Sequence, residues 1–302
     1  MNILLIIFNR PVNTRKVFAR IREVRPEKLF IAADGPRTTR VGEDMLCEET
    51  RGIIRDVDWP CEVTTRFQDH NMGCKLHESY AMSWFFNQVA EGIVLEDDCL
   101  PNISFFSFCT KMLERYRDNP EILAINGTDF LLPEEISDPT STYRFSRCVM
   151  GWGWASWNRA WRLYDVDMKN IDKLSNNLNT YGALFTKEKY LRYFIRHFKH
   201  IESHSVDTWD AQWQYSILLN QGIVISPNFN LVDNIGFGKD ATHTTDNNPH
   251  RCPTHEIEGV IKHPSSVIVD READAILIEK IFMTSLYNRI KYFLNNLNRL
   301  IQ

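Results

Sequence analysis

The stretch Gly92-Ile93-Val94-Leu95-Glu96-Asp97-Asp98 decides how this chain reads. Gly92 to Leu95 is a short apolar run, and three acids follow at its carboxyl end. Such a run is a strand buried on both faces, as in a parallel sheet. Ligands of open α/β sheets bind beyond the carboxyl ends of the strands. Three carboxylates placed there repel one another unless something positive joins them. Mg²⁺ or Mn²⁺ carrying a diphosphate suits the position, because these cations favour one or two carboxylates plus phosphate oxygens. An acidic loop, or a helix cap ahead of Pro101, would account for the same residues.

Working outward, Asn2–Phe8, Leu29–Ala33 and Glu62–Phe67 read as further strands. Between them, Asn13–Glu23 has helical spacing and Gly42–Val57 reads as a polar helix. After Asn71-Met72-Gly73 comes a helix with Leu76, Tyr80, Trp84 and Phe85 spaced for one buried face. This alternation predicts a mostly parallel α/β sheet flanked by helices, with right-handed crossovers. Neither the Gly-x-Gly-x-x-Gly dinucleotide fingerprint nor the Walker A pattern is present, so a nucleotide must be held another way. Farther on, Phe105–Tyr116 reads as helix, Ile122–Ile125 as strand, 133–142 as surface loop and Tyr143–Met150 as strand. Ile171–Phe198 reads as helical, Ile223–Ser226 as a short strand, and 228–245 as a loop. The expected division is 1–127 for nucleotide-sugar binding, 128–268 for acceptor and catalysis, and 269–302 as an amphipathic helical tail.

Composition narrows the function. The 302 residues are 43% hydrophobic and 25% charged, with a net charge of -4, which is ordinary for a globular chain. No basic stripe points to nucleic acid. Seven cysteines without a Cys-x-x-Cys spacing argue against a disulfide framework or a zinc ribbon, and fit a cytosolic chain with reduced thiols. The apolar start, Ile3–Phe8, is too short for a signal-peptide core, and no stretch is long enough to span a bilayer.

Four further segments could carry chemistry. Phe8-Asn9-Arg10-Pro11, at the end of the first strand, could stack on and bond a base, or be a plain strand-to-helix turn. Gly151-Trp152-Gly153-Trp154-Ala155-Ser156-Trp157, with Trp161 beyond, is dense in rings that suit sugar faces and cores alike. Trp157 and Trp161 read as core, and Trp152, between glycines, as the ligand candidate. Asp207-Thr208-Trp209-Asp210 offers two carboxylates, either of which could be a general base or a helix cap. The loop 234–244, with Lys239 and His243, could wrap a diphosphate, and a neutral histidine could complete a metal shell.

In this order, these segments resemble the bacterial nucleotide-diphospho-sugar glycosyltransferases of the GT-A fold. They are more distantly similar to the eukaryotic N-acetylglucosaminyltransferase that extends mannose arms of N-glycans. The matching pieces also include Asp34-Gly35-Pro36-Arg37, Asn71-Met72-Gly73-Cys74 and Asn234-Ile235-Gly236-Phe237-Gly238, and the set covers residues 8 to 244. The resemblance implies a Rossmann-like GT-A sheet and transfer of a hexosyl or N-acetylhexosaminyl group. It implies Asp98 as the direct ligand of Mn²⁺ or Mg²⁺, with His243 as a second metal or diphosphate contact. It implies that Glu96 and Asp97 bond donor hydroxyls, and that Phe8, Asn9, Arg10, Asp34 and Arg37 hold the nucleotide, with Trp152 and Lys239 assisting. Asp210 matches the catalytic base of inverting relatives. A retaining route would need a second carboxylate as nucleophile, for which Asp207 and Asp240 stay open.

The expected partners are a nucleotide-sugar donor, UDP-linked by preference, and a glycan or lipid-linked acceptor of bacterial surface polysaccharide synthesis. The tail from Ala273 mixes aromatics, leucines and basic residues. It suits either docking on the domain or, through 286–302, a peripheral contact with the inner face of the cytoplasmic membrane. Two rivals share some features. A nucleotidyltransferase would share the sheet and acids but usually carries an early glycine-rich basic loop. A non-catalytic glycan-binding protein would keep the tryptophans without needing Glu96, Asp97, Asp98 and Asp210.

Overall fold

A computed structural model of the chain describes residues 1–237 and 253–283. Its centre is an eight-stranded sheet. The first four strands are β1 (Asn2–Ile7), β2 (Lys28–Ala33), β3 (Glu62–Phe67) and β4 (Glu91–Glu96). They lie in the order β3-β2-β1-β4 and are all parallel. β1 is apolar from Ile3 to Ile7 and buried throughout that run, as a strand covered on both faces must be. Helices α1 (Pro11–Val24), α2 (Glu43–Arg51) and α3 (Cys74–Phe86) belong to the crossovers. The chain moves outward from β1 to β3, then returns across β1 to place β4. The carboxyl ends of β1 and β4 therefore flank a topological switch point, where a crevice opens.

The short β5 (Cys99–Pro101) and α4 (Ile103–Arg115) lead to β6 (Ile122–Asn126), β7 (Tyr143–Ser146) and β8 (Trp154–Trp157). β8 is antiparallel to both β4 and β6 and sits between them. β9 (Ile223–Pro227) runs parallel to β6, and β7 closes the edge antiparallel to β9. The sheet is thus mixed and mostly parallel, as expected. β10 (Val232–Asn234) pairs with β5 in a separate two-stranded ribbon.

The central position of β8 buries Trp157, and Trp161 beyond it, as the core residues they were read to be, and adds Trp154 to them. Trp154 and Trp157, an odd number apart, face opposite sides of the sheet. Trp154 packs among Phe86, Trp161, Trp209 and Trp213. The indole of Trp157 donates to the Leu113 carbonyl at 3.2 Å. Burying rings of this size is among the larger favourable terms in a core.

The helical half differs in detail from expectation. The stretch 171–198 is not continuous. It divides, after the short α5 (Asn158–Trp161), into α6 (Ile171–Asn176), α7 (Leu178–Gly182) and α8 (Glu188–Ser203). α9 (Asp210–Leu219) follows. The expected strand 143–150 stops at Ser146, where the Ser146 hydroxyl and the Arg147 amide bond Asp274 instead of a strand partner. α3 turns differently as well. Leu76 and Tyr80 are exposed, and His77, Ala81, Met82, Phe85 and Phe86 form its buried face. That one-residue rotation brings Glu78 to the cavity.

α10 (Arg271–Leu277) is capped by Asp270, which accepts from the Ala273 amide at 3.0 Å. It buries Ala273, Asp274, Ala275 and Leu277. The first turns of the tail are therefore docked on the body, and 286–302 lies outside the described residues. Among the described residues no helix is long and apolar enough to cross a membrane.

Candidate active site

A cavity of about 300 Å³ opens at the switch point, at the small end of the range for ligand sites. Its walls come from the carboxyl ends of β1, β2 and β4, the start of α3, the turn before β8, the start of α9 and residues after β10. Seven carboxylates line it: Asp34, Glu78, Glu96, Asp97, Asp98, Asp207 and Asp210. Two guanidiniums, Arg10 and Arg37, face them, so negative charge is in excess.

The acids after β4 are wired to the turn after β1. The Phe8 amide donates to Asp97 Oδ2 at 3.2 Å. Arg10 Nη1 donates to Asp97 Oδ1 at 3.2 Å and to Asp98 Oδ2 at 2.6 Å. Burial opposes the charge on Arg10, but the fields of Asp97 and Asp98 outweigh it and raise its pKa. Burial also pushes Asp97 up to about 7, helped by Asp98 and opposed by Arg10. Glu96 is pushed well above the usual carboxylate range by burial and by Asp98 and Asp97. The Asp98 carbonyl accepts from the Ile235 amide at 2.8 Å, which fixes the chain after β10 against it.

The nucleotide-side candidates divide. The Phe8 ring lies 5.3 Å from the Arg37 guanidinium and lines the cavity. Arg37 is gripped by Glu43 through its backbone amide at 2.7 Å and through its guanidinium. Glu43 is buried, yet its bonds to Arg37 hold its pKa down. Asn9 does not line the cavity: its amide donates to Glu43 Oε1 at 2.9 Å. Asp34 anchors the loop ahead of α3, accepting from the amides of Gly35, Met72 and Gly73 and from the Asn71 side chain. Burial still raises its pKa against those bonds. Gly73 takes φ +81, open to glycine at little cost, and so brings the loop close to Asp207.

On the opposite wall the two candidate bases separate. Asp207 accepts from the Cys74 amide at 3.0 Å and the Lys75 amide at 2.7 Å, so it caps α3 from a distant loop. Asp210 opens α9, is exposed, and bonds the Thr208 hydroxyl and the Ala211 amide. Trp152 also lines the cavity, its ring edge-on to Phe130 and Phe237 at 5.5 and 5.8 Å. Trp154, Trp157, Trp161, Trp209 and Trp213 are core, which weakens the rival reading as a sugar-binding aromatic surface.

Glu43, His77 and Glu78 were not legible as site residues. His77 is buried, and burial followed by the Arg51 charge lowers its pKa to about 4. It is neutral at pH 7, so its 3.8 Å approach to Asp34 is not an ion pair. Lys239 and His243 lie outside the described residues.

The carboxylates after β4 fit a hard divalent cation. They are oxygen donors, burial keeps water from screening them, and a cation beside them would favour the ionised form that burial disfavours in Glu96 and Asp97. Among the described residues no three such groups are gathered as a ready-made metal site. Further ligands would have to come from diphosphate and water.

No protein-family model and no curated protein matches the chain. Several solved structures are similar to it at low identity. An active-site mutant of LgtC aligns at 10% identity over 96% of this chain and 99% of that one, with a TM-score of 0.40. Mouse xyloside xylosyltransferase 1 aligns at 10% identity over 72% and 81%, with a TM-score of 0.36. A Bacillus anthracis protein named as a glucose-1-phosphate thymidylyltransferase aligns at 9% identity over 80% and 91%, with a TM-score of 0.37.

Proposed function

We propose that the chain is a metal-dependent, inverting glycosyltransferase of the GT-A type. It moves a hexosyl or N-acetylhexosaminyl group from a nucleoside diphosphate sugar, UDP-linked by preference, to a hydroxyl of a glycan or lipid-linked acceptor. The setting is bacterial surface polysaccharide synthesis, with residues 286–302 as a peripheral contact on the inner face of the cytoplasmic membrane. One observation carries the reading: Asp97 and Asp98, tied to Arg10 at the β1/β4 switch point, share a cavity with an exposed Asp210 on the far wall.

Asp98 would hold Mn²⁺ or Mg²⁺ with Asp97 beside it, and His243 would add a contact. Bound there, the cation supplies Lewis-acid withdrawal of charge from the departing diphosphate. Arg10 and Lys239 would bond phosphate oxygens as that charge develops. Phe8, Asp34 and Arg37 would form the nucleobase end, where the Phe8 ring offers a stacking face, and Asn9 would support them from behind through Glu43. Glu96 would bond a donor hydroxyl, and Trp152 would cover the apolar face of the sugar. Asp210 would take the proton of the acceptor hydroxyl as it attacks the anomeric carbon. A single base opposite the leaving group gives direct displacement and inversion. Asp207 is committed to capping α3, which leaves it poorly placed as a second nucleophile.

The test is calorimetric titration with UDP, GDP and dTDP, with and without Mn²⁺, followed by a donor-sugar hydrolysis screen. Mn²⁺-dependent binding of one nucleotide and slow hydrolysis of its sugar are expected. Absence of nucleotide binding would leave a glycan-binding role standing, and pyrophosphate release from a nucleoside triphosphate would favour a nucleotidyltransferase.

A further inference from the structure

Glu78 is the one cavity carboxylate that neither the fold nor the proposed chemistry uses. It stands one turn after Cys74 on α3, and both line the cavity. Its Oε2 is fully buried and accepts no hydrogen bond among the described residues. The strongest charges acting on it are Glu96, Asp97, Asp98 and Asp34, all of its own sign. The nearby guanidiniums serve others, Arg10 bonding Asp97 and Asp98, and Arg37 bonding Glu43. A ligand that brings a donor to this buried acceptor stabilises it.

The parts of a nucleotide sugar differ in what they can bring. The diphosphate offers acceptors alone and would repel a carboxylate. The sugar is rich in hydroxyl donors. The position of Glu78 agrees with the sugar end. The Tyr164 hydroxyl bonds the neighbouring Ser79 hydroxyl at 2.9 Å and the Trp209 carbonyl at 3.2 Å. Glu78 and Asp210 each stand next in sequence to an end of that bridge, and the strongest charge acting on Glu78 is that of Glu96, the acid proposed above to bond a donor hydroxyl.

We infer that Glu78 selects the donor by accepting a hydroxyl or N–H of the transferred sugar, an inference that rests on the glycosyltransferase reading above. α3 fixes the backbone position of Glu78, and a single acceptor there discriminates between sugars that differ in a donor group at one carbon.

The experiment compares wild type with Glu78→Gln and Glu78→Ala. It measures affinity for the nucleoside diphosphate alone with Mn²⁺, kcat/KM over a panel of its sugars differing at single hydroxyls, and the apo melting temperature. Both variants should bind the diphosphate within about twofold of wild type. Glu78→Ala should lose roughly 3- to 10-fold in kcat/KM for the preferred sugar, the scale of one hydrogen bond, and its discrimination across the panel should collapse. Both should melt no lower than wild type, since an unpaired buried acid has been removed. Equal losses for the diphosphate alone would place the contact on the ribose or in the fold and overturn the inference, as would an unchanged sugar preference. A wild-type protein that binds no nucleoside diphosphate would be a different result, bringing down the underlying reading first.

Discussion

Arg10 Nη1 lies 2.6 Å from Asp98 Oδ2, so the side chain leaving β1 holds the acid that leaves β4. The guanidinium occupies the same carboxylate that the proposed cation needs, and the two compete for it. Arg10→Met should destabilise the metal-free protein by about 2–3 kcal/mol, because two buried carboxylates lose their partner. Mn²⁺ should restore most of that loss, and should raise the melting temperature of the variant more than that of wild type. Equal Mn²⁺ shifts in the two proteins would show that the cation binds elsewhere.

Gly236 tests the same corner without changing its charge. A Cβ at this position would collide with Asp98 Oδ2 and come within 2.7 Å of its Cγ. Asp98 has little room to yield, being buried and bonded to Arg10. Gly236→Ala should therefore displace the Asp98 carboxylate and weaken Mn²⁺-dependent nucleotide binding by roughly tenfold or more, about 1.4 kcal/mol. Far-ultraviolet circular dichroism should stay unchanged, since the backbone at Gly236 does not need a positive φ. Wild-type titration curves would contradict the placement of the cation on Asp98.

What could be read from sequence was what local patterning controls. The apolar runs of β1, β2 and β4 announce buried parallel strands because each is covered on both faces. The acids at the end of β4 were legible for the same reason, since a strand end fixes where its next residues go. β8 was missed because its tryptophans read as core or ligand contacts with no strand alternation, and only pairing with β4 and β6 makes them a central strand. Glu78 was missed because Leu76 and Tyr80 offered a plausible apolar stripe with Phe85; Phe85 is buried as expected, but tertiary packing buries His77, Ala81 and Met82 beside it instead of Leu76 and Tyr80. Asp207 could be read as a base or a cap, but the helix it caps is α3, 133 residues away, and no local pattern encodes such long reach.

Asp207 and Asp210 should fail in different ways. Asp210→Asn keeps a side chain of the same shape but cannot accept the acceptor's proton. It should bind donor normally and lose roughly 10²- to 10⁴-fold in transfer. Normal turnover in that variant would rule Asp210 out as base.

Asp207→Ala removes the acceptor for the Cys74 and Lys75 amides at the start of α3. A lost cap of this kind costs about 1–2 kcal/mol, visible as a lower midpoint in chemical denaturation. Transfer by the folded fraction should fall far less than in Asp210→Asn. If Asp207→Ala abolished transfer at unchanged stability, Asp207 would be the base and the two roles would be exchanged.

The last prediction concerns pH and lies far from the cavity. Asp274 on α10 is buried, accepting from the Ser146 hydroxyl at 2.5 Å and the Arg147 amide at 2.8 Å. Burial pushes its pKa up to about 6, although those bonds and the Arg144 charge pull it down. The folded state thus keeps the Asp274 proton more tightly than the unfolded chain does. Its contribution to stability is fully present below about pH 4, and is lost as pH rises through about 6. Asp274→Asn cannot titrate and still accepts one hydrogen bond through its amide oxygen. Measured by urea denaturation, the stability of this variant relative to wild type should improve by about 3 kcal/mol between pH 4 and pH 7, the linkage value of a two-unit shift. A parallel pH dependence in the two proteins would mean that Asp274 is ionised in the fold throughout, with the nearby Arg144, itself paired to Asp129 at 2.5 Å, carrying enough of its charge to hold it so.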